Sequence, residues 1–154
     1  MLYPNNKRYN TLDGYFKTRF GCKVAKISLN AGFSCPNRDG TKSFGGCIYC
    51  SPSGSGDFAG DPKRSIREQF EQQTALMRKK WHDAKFLPYF QAGTNTYAPL
   101  CRLREVYEQA LALPDCVGMS IATRPDCISD ETLSYLAEIS ARTYLTVELG
   151  LQTV

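Results

Sequence analysis

The chain alternates short apolar runs with longer amphipathic segments, a pattern typical of strands alternating with helices. The runs predicted as strands are residues 23–30, 85–91, 117–122 and 144–151. The segments predicted as helices, where apolar residues recur every three or four positions, are residues 65–81, 100–113 and 129–141. Strands and helices in this order predict an α/β fold, with a parallel sheet covered by helices.

N-terminal capping residues support two of the predicted helices. Ser65 and Glu68 form an S-x-x-E capping box ahead of the first helix. Ser129 is a favourable N-cap for the third helix, and Asp130 and Glu131 place negative charge in its first turn.

Polar residues follow the predicted strands at the points where they end. They are Asn30, residues 91–96, residues 123–126, Glu148 and Gln152. In a parallel α/β barrel the carboxyl ends of all strands meet on one rim, so these groups would converge there. A doubly wound sheet would gather fewer of them, around its switch point.

Composition indicates a globular protein of one domain. Of the 154 residues 42% are hydrophobic and 22% charged, which argues against disorder. No apolar run of about 18 residues predicts a membrane span, and residues 1–10 have no signal-peptide core. We therefore expect a cytoplasmic protein, whose seven cysteines stay thiols or bind metal.

Charge is unevenly distributed along the chain. Residues 1–80 carry 14 Lys or Arg against 6 Asp or Glu, whereas residues 81–154 carry 5 against 9. The basic first half permits a polyanionic partner such as nucleic acid, and it equally fits a solvated helix face.

The long loop predicted for residues 31–60 contains three cysteines. Cys35, Cys47 and Cys50 have the spacing C-x11-C-x2-C, with no fourth cysteine close by in the sequence. Four thiolates would close a zinc or iron–sulfur site, whereas three around a four-iron cluster leave one iron open for a ligand. The triad thus predicts a redox enzyme. A zinc site is the alternative, with Cys22 a better fourth ligand than His82, the only histidine.

The cysteine loop, CPNRDGT at 35–41 followed by GGCIYC at 45–50, resembles a branch of the radical S-adenosylmethionine (SAM) superfamily. Residues 89–98, 122–127 and 147–152 resemble the same branch. The resemblance implies a partial parallel (β/α) barrel of radical SAM type. Residues 1–20 would be an N-terminal extension, and residues 21–154 an incomplete core with about four βα units.

The resemblance also implies cofactors and partners. Cys35, Cys47 and Cys50 would bind a 4Fe-4S cluster, whose open iron would be chelated by SAM. An electron from a donor such as flavodoxin or ferredoxin would cleave SAM to methionine and a 5′-deoxyadenosyl radical. Related enzymes modify tRNA, so a tRNA substrate, modified at the wobble uridine, is implied as well. No catalytic side chain is assigned.

Seven residues are candidate SAM contacts: the resemblance implies six of them, and Arg124 is added because its planar guanidinium suits a carboxylate or a phosphate. Tyr49 would contact the adenine, Arg124 the SAM carboxylate or a substrate phosphate, and Glu148 the ribose or the amino group. The segment after the second strand, which lacks the usual G-G-E, would meet the methionyl amino group through Gln91, Gly93, Thr94 and Asn95.

Structural roles are the alternatives for these same side chains. Tyr49 could pack, Arg124 could form an ion pair, Asn95 could cap a turn, and Glu148 could pair with Arg124 or a lysine. Two other functions stay open. One is a zinc-bearing nucleic-acid-binding module, and the other is an inactive fragment of a radical SAM enzyme, because four strands are too few to close a barrel.

Overall fold

The computed structural model describes residues 6–151, which form a four-stranded parallel sheet and four helices. The strands are β1 (Val24–Leu29), β2 (Lys85–Phe90), β3 (Gly118–Thr123) and β4 (Tyr144–Leu149). The helices are α1 (Leu12–Phe20), α2 (Ile66–Arg78), α3 (Leu100–Leu111) and α4 (Asp130–Arg142), with a 3₁₀ turn at Pro125–Cys127. The α/β prediction is confirmed, and every predicted element lies within three residues of its expected bounds. Gln152 is outside the described residues.

Each strand pairs with the next strand along the chain, so the sheet order is β1-β2-β3-β4 and all pairs are parallel. Parallel crossovers are right-handed, and repeated crossovers in one direction place α2, α3 and α4 on the same face of the sheet. The β2–β3 pairing is short, with Tyr89 opposite Ser120 and Phe90 opposite Ile121. Pro88 precedes this pair and has no N–H to donate to a ladder.

The main core lies between this face and the three helices. Alternate strand residues such as Ile27 and Leu29 point into it, whereas Lys26 and Ser28 between them point to the opposite face. The fully buried large side chains of this core are Ile27, Leu29, Phe70, Phe86, Phe90, Leu103, Tyr107, Met119, Ile121, Tyr135 and Ile139. Burying each stabilises the fold by about 1.5 to 3 kcal/mol.

Helix α1 is the one helix that the hydrophobic pattern does not predict. Thr11 caps it by accepting a hydrogen bond from the Gly14 N–H (3.0 Å), and Gly21 ends it in the left-handed conformation. Its buried aromatic residue, Phe16, packs with Val24 and Leu87 on the sheet face opposite α2–α4. The helix thus covers the part of that face near the amino ends of the strands.

The predicted capping signals are confirmed. The Glu68 N–H donates to Ser65 Oγ (3.2 Å), and the Ser65 N–H donates to a Glu68 carboxylate oxygen (2.8 Å). The Thr132 N–H donates to Ser129 Oγ at the start of α4 (3.2 Å).

The face opposite α2–α4 is concave. Lys26 on β1 donates to Glu148 on β4 (2.5 Å), although two strands separate them. Strands in a flat sheet are about 4.8 Å apart, so β1 and β4 would be about 14 Å apart. Because side chains on one face of a flat sheet point the same way, the contact indicates that the sheet curves toward this face. Among residues 6–151, no helix combines the length and the apolar character needed to cross a bilayer.

Candidate functional site

The loop that carries the three cysteines joins β1 to α2 and folds back on itself. The N–H groups of Arg38 and Asp39 donate to the Cys35 carbonyl (2.8 and 3.1 Å), which makes a turn directly after the first cysteine. The Gly46 N–H then donates to the Asn37 carbonyl (2.9 Å). These bonds return the chain, so that Cys47 and Cys50 come back to the neighbourhood of Cys35.

Glycine is required immediately before Cys47. Gly45 and Gly46 have φ angles of 80° and 87°, a region that other residues seldom adopt. A Cβ on Gly46 would lie 3.2 Å from Nη1 of Arg38. The Arg38 guanidinium donates to the Ser51 and Pro52 carbonyls, which binds the two arms of the loop together.

Backbone hydrogen bonds dock this loop onto the segment that follows β2. The Gly93 N–H donates to the Gly54 carbonyl (2.9 Å), and the Thr94 N–H donates to the Ser34 carbonyl (3.0 Å). Gly93 has a φ of 73°, and a Cβ there would lie 2.4 Å from the Phe33 carbonyl oxygen. The close approach of the two segments therefore depends on glycine at position 93.

A cavity of 370 Å³ lies between the cysteine loop and the carboxyl ends of the strands. Nine of the ten predicted site residues line it, from five separate segments of the chain. They are Cys35, Cys47, Tyr49, Cys50, Gln91, Gly93, Thr94, Arg124 and Glu148. Tyr49 lies at the mouth, with 65% of its surface exposed.

The three thiols are half-buried, and those of Cys47 and Cys50 are hydrogen-bonded to neighbouring residues. Asn37 Nδ2 donates to Cys47 Sγ (3.2 Å), and the Cys50 sulfur is 3.4 Å from Ser55 Oγ. The pKa of Cys47 is lowered, mainly by hydrogen bonds from Asn37 and Tyr49 and further by the charge of Arg124. Within residues 6–151, no three Cys, His, Asp or Glu side chains are grouped as a metal site. The thiols thus share a cavity without converging on one point.

The proposed fourth zinc ligands lie at the other end of the strands. Cys22 precedes β1 and packs against the α1 cluster with Val24. Cys35 follows that strand, whose six residues span about 20 Å. His82 also lies near the amino end of a strand, three residues before β2. Neither residue lines the cavity.

Arg124 directly follows β3, and its side chain is only 12% exposed. Its Nε and Nη2 donate to the two carboxylate oxygens of Asp126 (2.9 and 2.8 Å), which raises the pKa of the arginine. Its remaining nitrogen, Nη1, is buried and has no hydrogen-bond partner among residues 6–151. The predicted ion-pair alternative is thus present, with Asp126 as the partner, and one donor is left unused.

Glu148 lies at the floor of the cavity and is hydrogen-bonded to one residue from each of the other three strands. Lys26 and Ser120 donate to its Oε1 (2.5 and 3.1 Å), and the Tyr89 hydroxyl donates to its Oε2 (2.7 Å). Burial alone would raise the pKa of Glu148, but the hydrogen bonds from Lys26 and Tyr89 lower it overall. Burial and the contact with Glu148 raise the pKa of Tyr89. The expected pairing of Glu148 is therefore with a lysine and not with Arg124.

Lys26→Met is expected to destabilise the chain by about 1 to 2 kcal/mol at neutral pH, because Glu148 would lose its cation in a half-buried site. The value lies below that for a fully buried pair, since 38% of the Glu148 side chain is exposed. The pKa of Glu148 is lower in the folded than in the unfolded chain. The contribution of the Lys26–Glu148 pair to the free energy of unfolding is therefore fully present above about pH 4.3, the unfolded pKa, and is lost as pH falls through the folded pKa.

Urea unfolding of both proteins between pH 3 and 8 measures this difference. We expect the difference to be greatest near neutral pH and smallest in acid. Lys85→Met, which removes an exposed lysine at the start of β2, is the matched control. If Lys85→Met and Lys26→Met lose equal stability, or the Lys26→Met loss does not vary with pH, the pairing with Glu148 does not stabilise the fold.

Asn95 is the predicted residue that does not line the cavity. It is fully buried, and its Nδ2 donates to the carbonyls of Phe90 (3.0 Å) and Ala122 (2.8 Å), which ties the end of β2 to the end of β3. The contact is structural, but it joins two strand ends and does not cap a turn, which was the alternative expected for Asn95. Lys26 and Tyr89 were not predicted as site residues, although alternation along their strands places polar Lys26 and Ser28 on one face.

The chain is similar to longer bacterial and archaeal proteins. It is 56% identical over 153 residues to the uncharacterized protein YtqA of Bacillus subtilis (strain 168), covering 99% of this chain and 48% of YtqA. It is 43% identical over 148 residues to the protein YhcC of Escherichia coli (strain K12), covering 96% of this chain and 47% of YhcC. It is 38% identical over 144 residues to the uncharacterized protein MJ0486 of Methanocaldococcus jannaschii, covering 91% and 43%. The chain thus spans about half the length of these curated relatives. No protein-family model and no solved structure matches it.

Proposed function

We propose that this chain carries the cluster-binding and SAM-binding part of a radical SAM enzyme, with the parallel sheet as part of a (β/α) barrel. One observation carries the proposal: nine residues selected from sequence motifs, in five separate segments, line a single cavity. The concave face and the consecutive strand order fit an incomplete barrel.

The residues present fit the two cofactors. Among residues 6–151, three cysteines and no fourth cysteine or histidine line the cavity, a ligand set that would suit a 4Fe-4S cluster with one open iron better than a closed zinc site once the three sulfurs converge. The volume of 370 Å³ lies within the range of small-ligand sites, about 300 to 1,000 Å³. The buried Nη1 of Arg124 is a donor that finds no acceptor in the described part of the chain, as expected where a ligand oxygen binds.

When bound, the cluster and SAM would supply the reductive cleavage that starts radical chemistry. The protein residues would bind and orient. Arg124 would bind the SAM carboxylate through Nη1, Tyr49 would cover the adenine at the cavity mouth, and Glu148 would accept hydrogen bonds from the ribose or amino group. Lys26 would hold Glu148 ionised at the floor. An electron donor such as flavodoxin or ferredoxin and a tRNA substrate stay predictions.

Anaerobic reconstitution with iron and sulfide tests this proposal directly. We expect a brown protein whose cluster spectrum changes when SAM is added, and 5′-deoxyadenosine when a reductant is supplied. A protein that is colourless and zinc-loaded would favour the nucleic-acid-binding module. A cluster spectrum that SAM does not alter would refute SAM binding at the open iron. Product formed by a longer relative but not by this chain would indicate an inactive fragment.

A further inference from the structure

Asp126 joins two cations that come from different parts of the chain. Its carboxylate accepts both hydrogen bonds from the Arg124 fork (2.9 and 2.8 Å) and also contacts Lys42 of the cysteine loop. Hydrogen bonds from Arg124 and then Lys42 hold the pKa of Asp126 far below its ordinary value. The carboxylate therefore carries its negative charge at neutral pH, between two cations.

The bidentate contact decides which atom of Arg124 is left for a ligand. Asp126 engages Nε and Nη2, and a planar guanidinium held at two nitrogens has its third nitrogen fixed in direction. That third nitrogen, Nη1, is buried and unpaired within residues 6–151, and Arg124 lines the cavity with the cysteines. An unsatisfied buried donor is costly, so this arrangement points to an acceptor that a ligand supplies.

Lys42 connects this arrangement to the cysteine loop. Its backbone N–H donates to the Pro36 carbonyl (2.8 Å), so it lies in the turn that follows Cys35. Its ammonium group reaches Asp126 beyond the end of β3. The folded cysteine loop thereby fixes the position of the Asp126 carboxylate, which in turn fixes the orientation of the Arg124 guanidinium.

We infer that Asp126 is a positioning residue that directs Nη1 of Arg124 toward a ligand carboxylate in the cavity. Because Lys42 contacts Asp126, the orientation of the Arg124 guanidinium would also depend on the folded cysteine loop. The inference rests on the proposed function for the identity of the ligand, SAM. It adds a regulatory feature, because order in the metal-binding loop would control the subsite that binds the carboxylate.

A comparison of two ligands tests the role of Asp126. SAM and decarboxylated SAM differ in the carboxylate alone, and their Kd values can be measured on the reconstituted chain by equilibrium dialysis. In Asp126→Asn we expect the Kd for SAM to rise about tenfold or more, as for a lost hydrogen bond between charged groups. The Kd for decarboxylated SAM should not change. A merely structural role would weaken both ligands alike.

Lys42→Met provides the second variant, with Lys63→Met as its control. Lys42 and Asp126 are both partly exposed, so we expect the Kd for SAM to rise about two- to fivefold and the Kd for decarboxylated SAM to stay unchanged. Lys63 is an exposed lysine of the same loop that does not line the cavity, and its loss should change neither Kd. If Asp126→Asn fails to fold and loses both ligands, Lys42→Met decides by the same comparison.

The outcomes separate this inference from the proposed function. Equal effects on the two ligands, or none, in Lys42→Met would overturn the inference and leave SAM binding intact. A wild-type chain that binds neither ligand would overturn the proposed function and the inference together.

Discussion

Cys47→Ser is expected to abolish cluster assembly, lowering iron from about four atoms per chain to less than one after anaerobic reconstitution. Two thiolates cannot hold a cluster that three protein ligands bind, and a serine hydroxyl is a poor ligand for iron–sulfur centres. Because Cys47 lies half-buried on a loop, the sheet and helices should fold normally. Iron and sulfide analysis measures the loss, and the far-UV circular dichroism spectrum should match the wild type.

Cys101→Ser is the matched control. Cys101 is exposed on α3 and is absent from the cavity lining, so the same substitution should leave the iron content unchanged. Equal iron content in Cys47→Ser and the wild type would contradict the assignment of Cys47. Loss of iron in both variants would show that the assay reports general thiol damage.

Gly93→Ala should destabilise the chain by about 3 kcal/mol and reduce cluster loading as well. A non-glycine residue in the left-handed region costs about 1 to 2 kcal/mol. The added Cβ would also lie 2.4 Å from the Phe33 carbonyl oxygen, so backbone must move. Because Phe33 directly precedes the cysteine segment, that movement would displace Cys35. Urea unfolding measures the stability, and iron analysis measures the loading.

Gly21→Ala is the control that measures the cost of a left-handed alanine without a steric clash. Gly21 has a φ of 72°, nearly that of Gly93, and a Cβ there meets no atom within 4 Å. We expect this variant to lose only about 1 to 2 kcal/mol and to load iron as the wild type does. If the two alanine variants behave alike, the contact between Gly93 and Phe33 does not shape the site.

Most of the fold could be predicted from the sequence because the local signals for four strands and three helices agreed with the tertiary structure. Each strand is an apolar run bounded by polar residues, and α2 and α4 begin at real caps. The cavity residues could be predicted for a related reason: parallel strands collect their carboxyl ends at one edge. Arg124 and Glu148, whose motifs lie at strand ends in the sequence, therefore line the same cavity.

Other features depended on information that spacing does not contain. Helix α1 was missed because Leu12 and Tyr15 are exposed, although Thr11 and Gly21 are usable cap signals. The partner of Glu148 could not be chosen among cations, since only the curvature of the sheet brings Lys26 near. The inward direction of Asn95 depends on the gap between two strand ends, which no periodicity describes.

The contact between Lys26 and Glu148 joins two residues that are synthesised at different times. The two residues are 122 positions apart, and chains emerge from the ribosome amino end first. The segment with all three cysteines is therefore made well before β4 exists, while the cavity still lacks its floor. Contacts this distant in sequence form late in folding. For the cluster of the proposed function, we therefore expect efficient insertion only after β4 has joined the sheet.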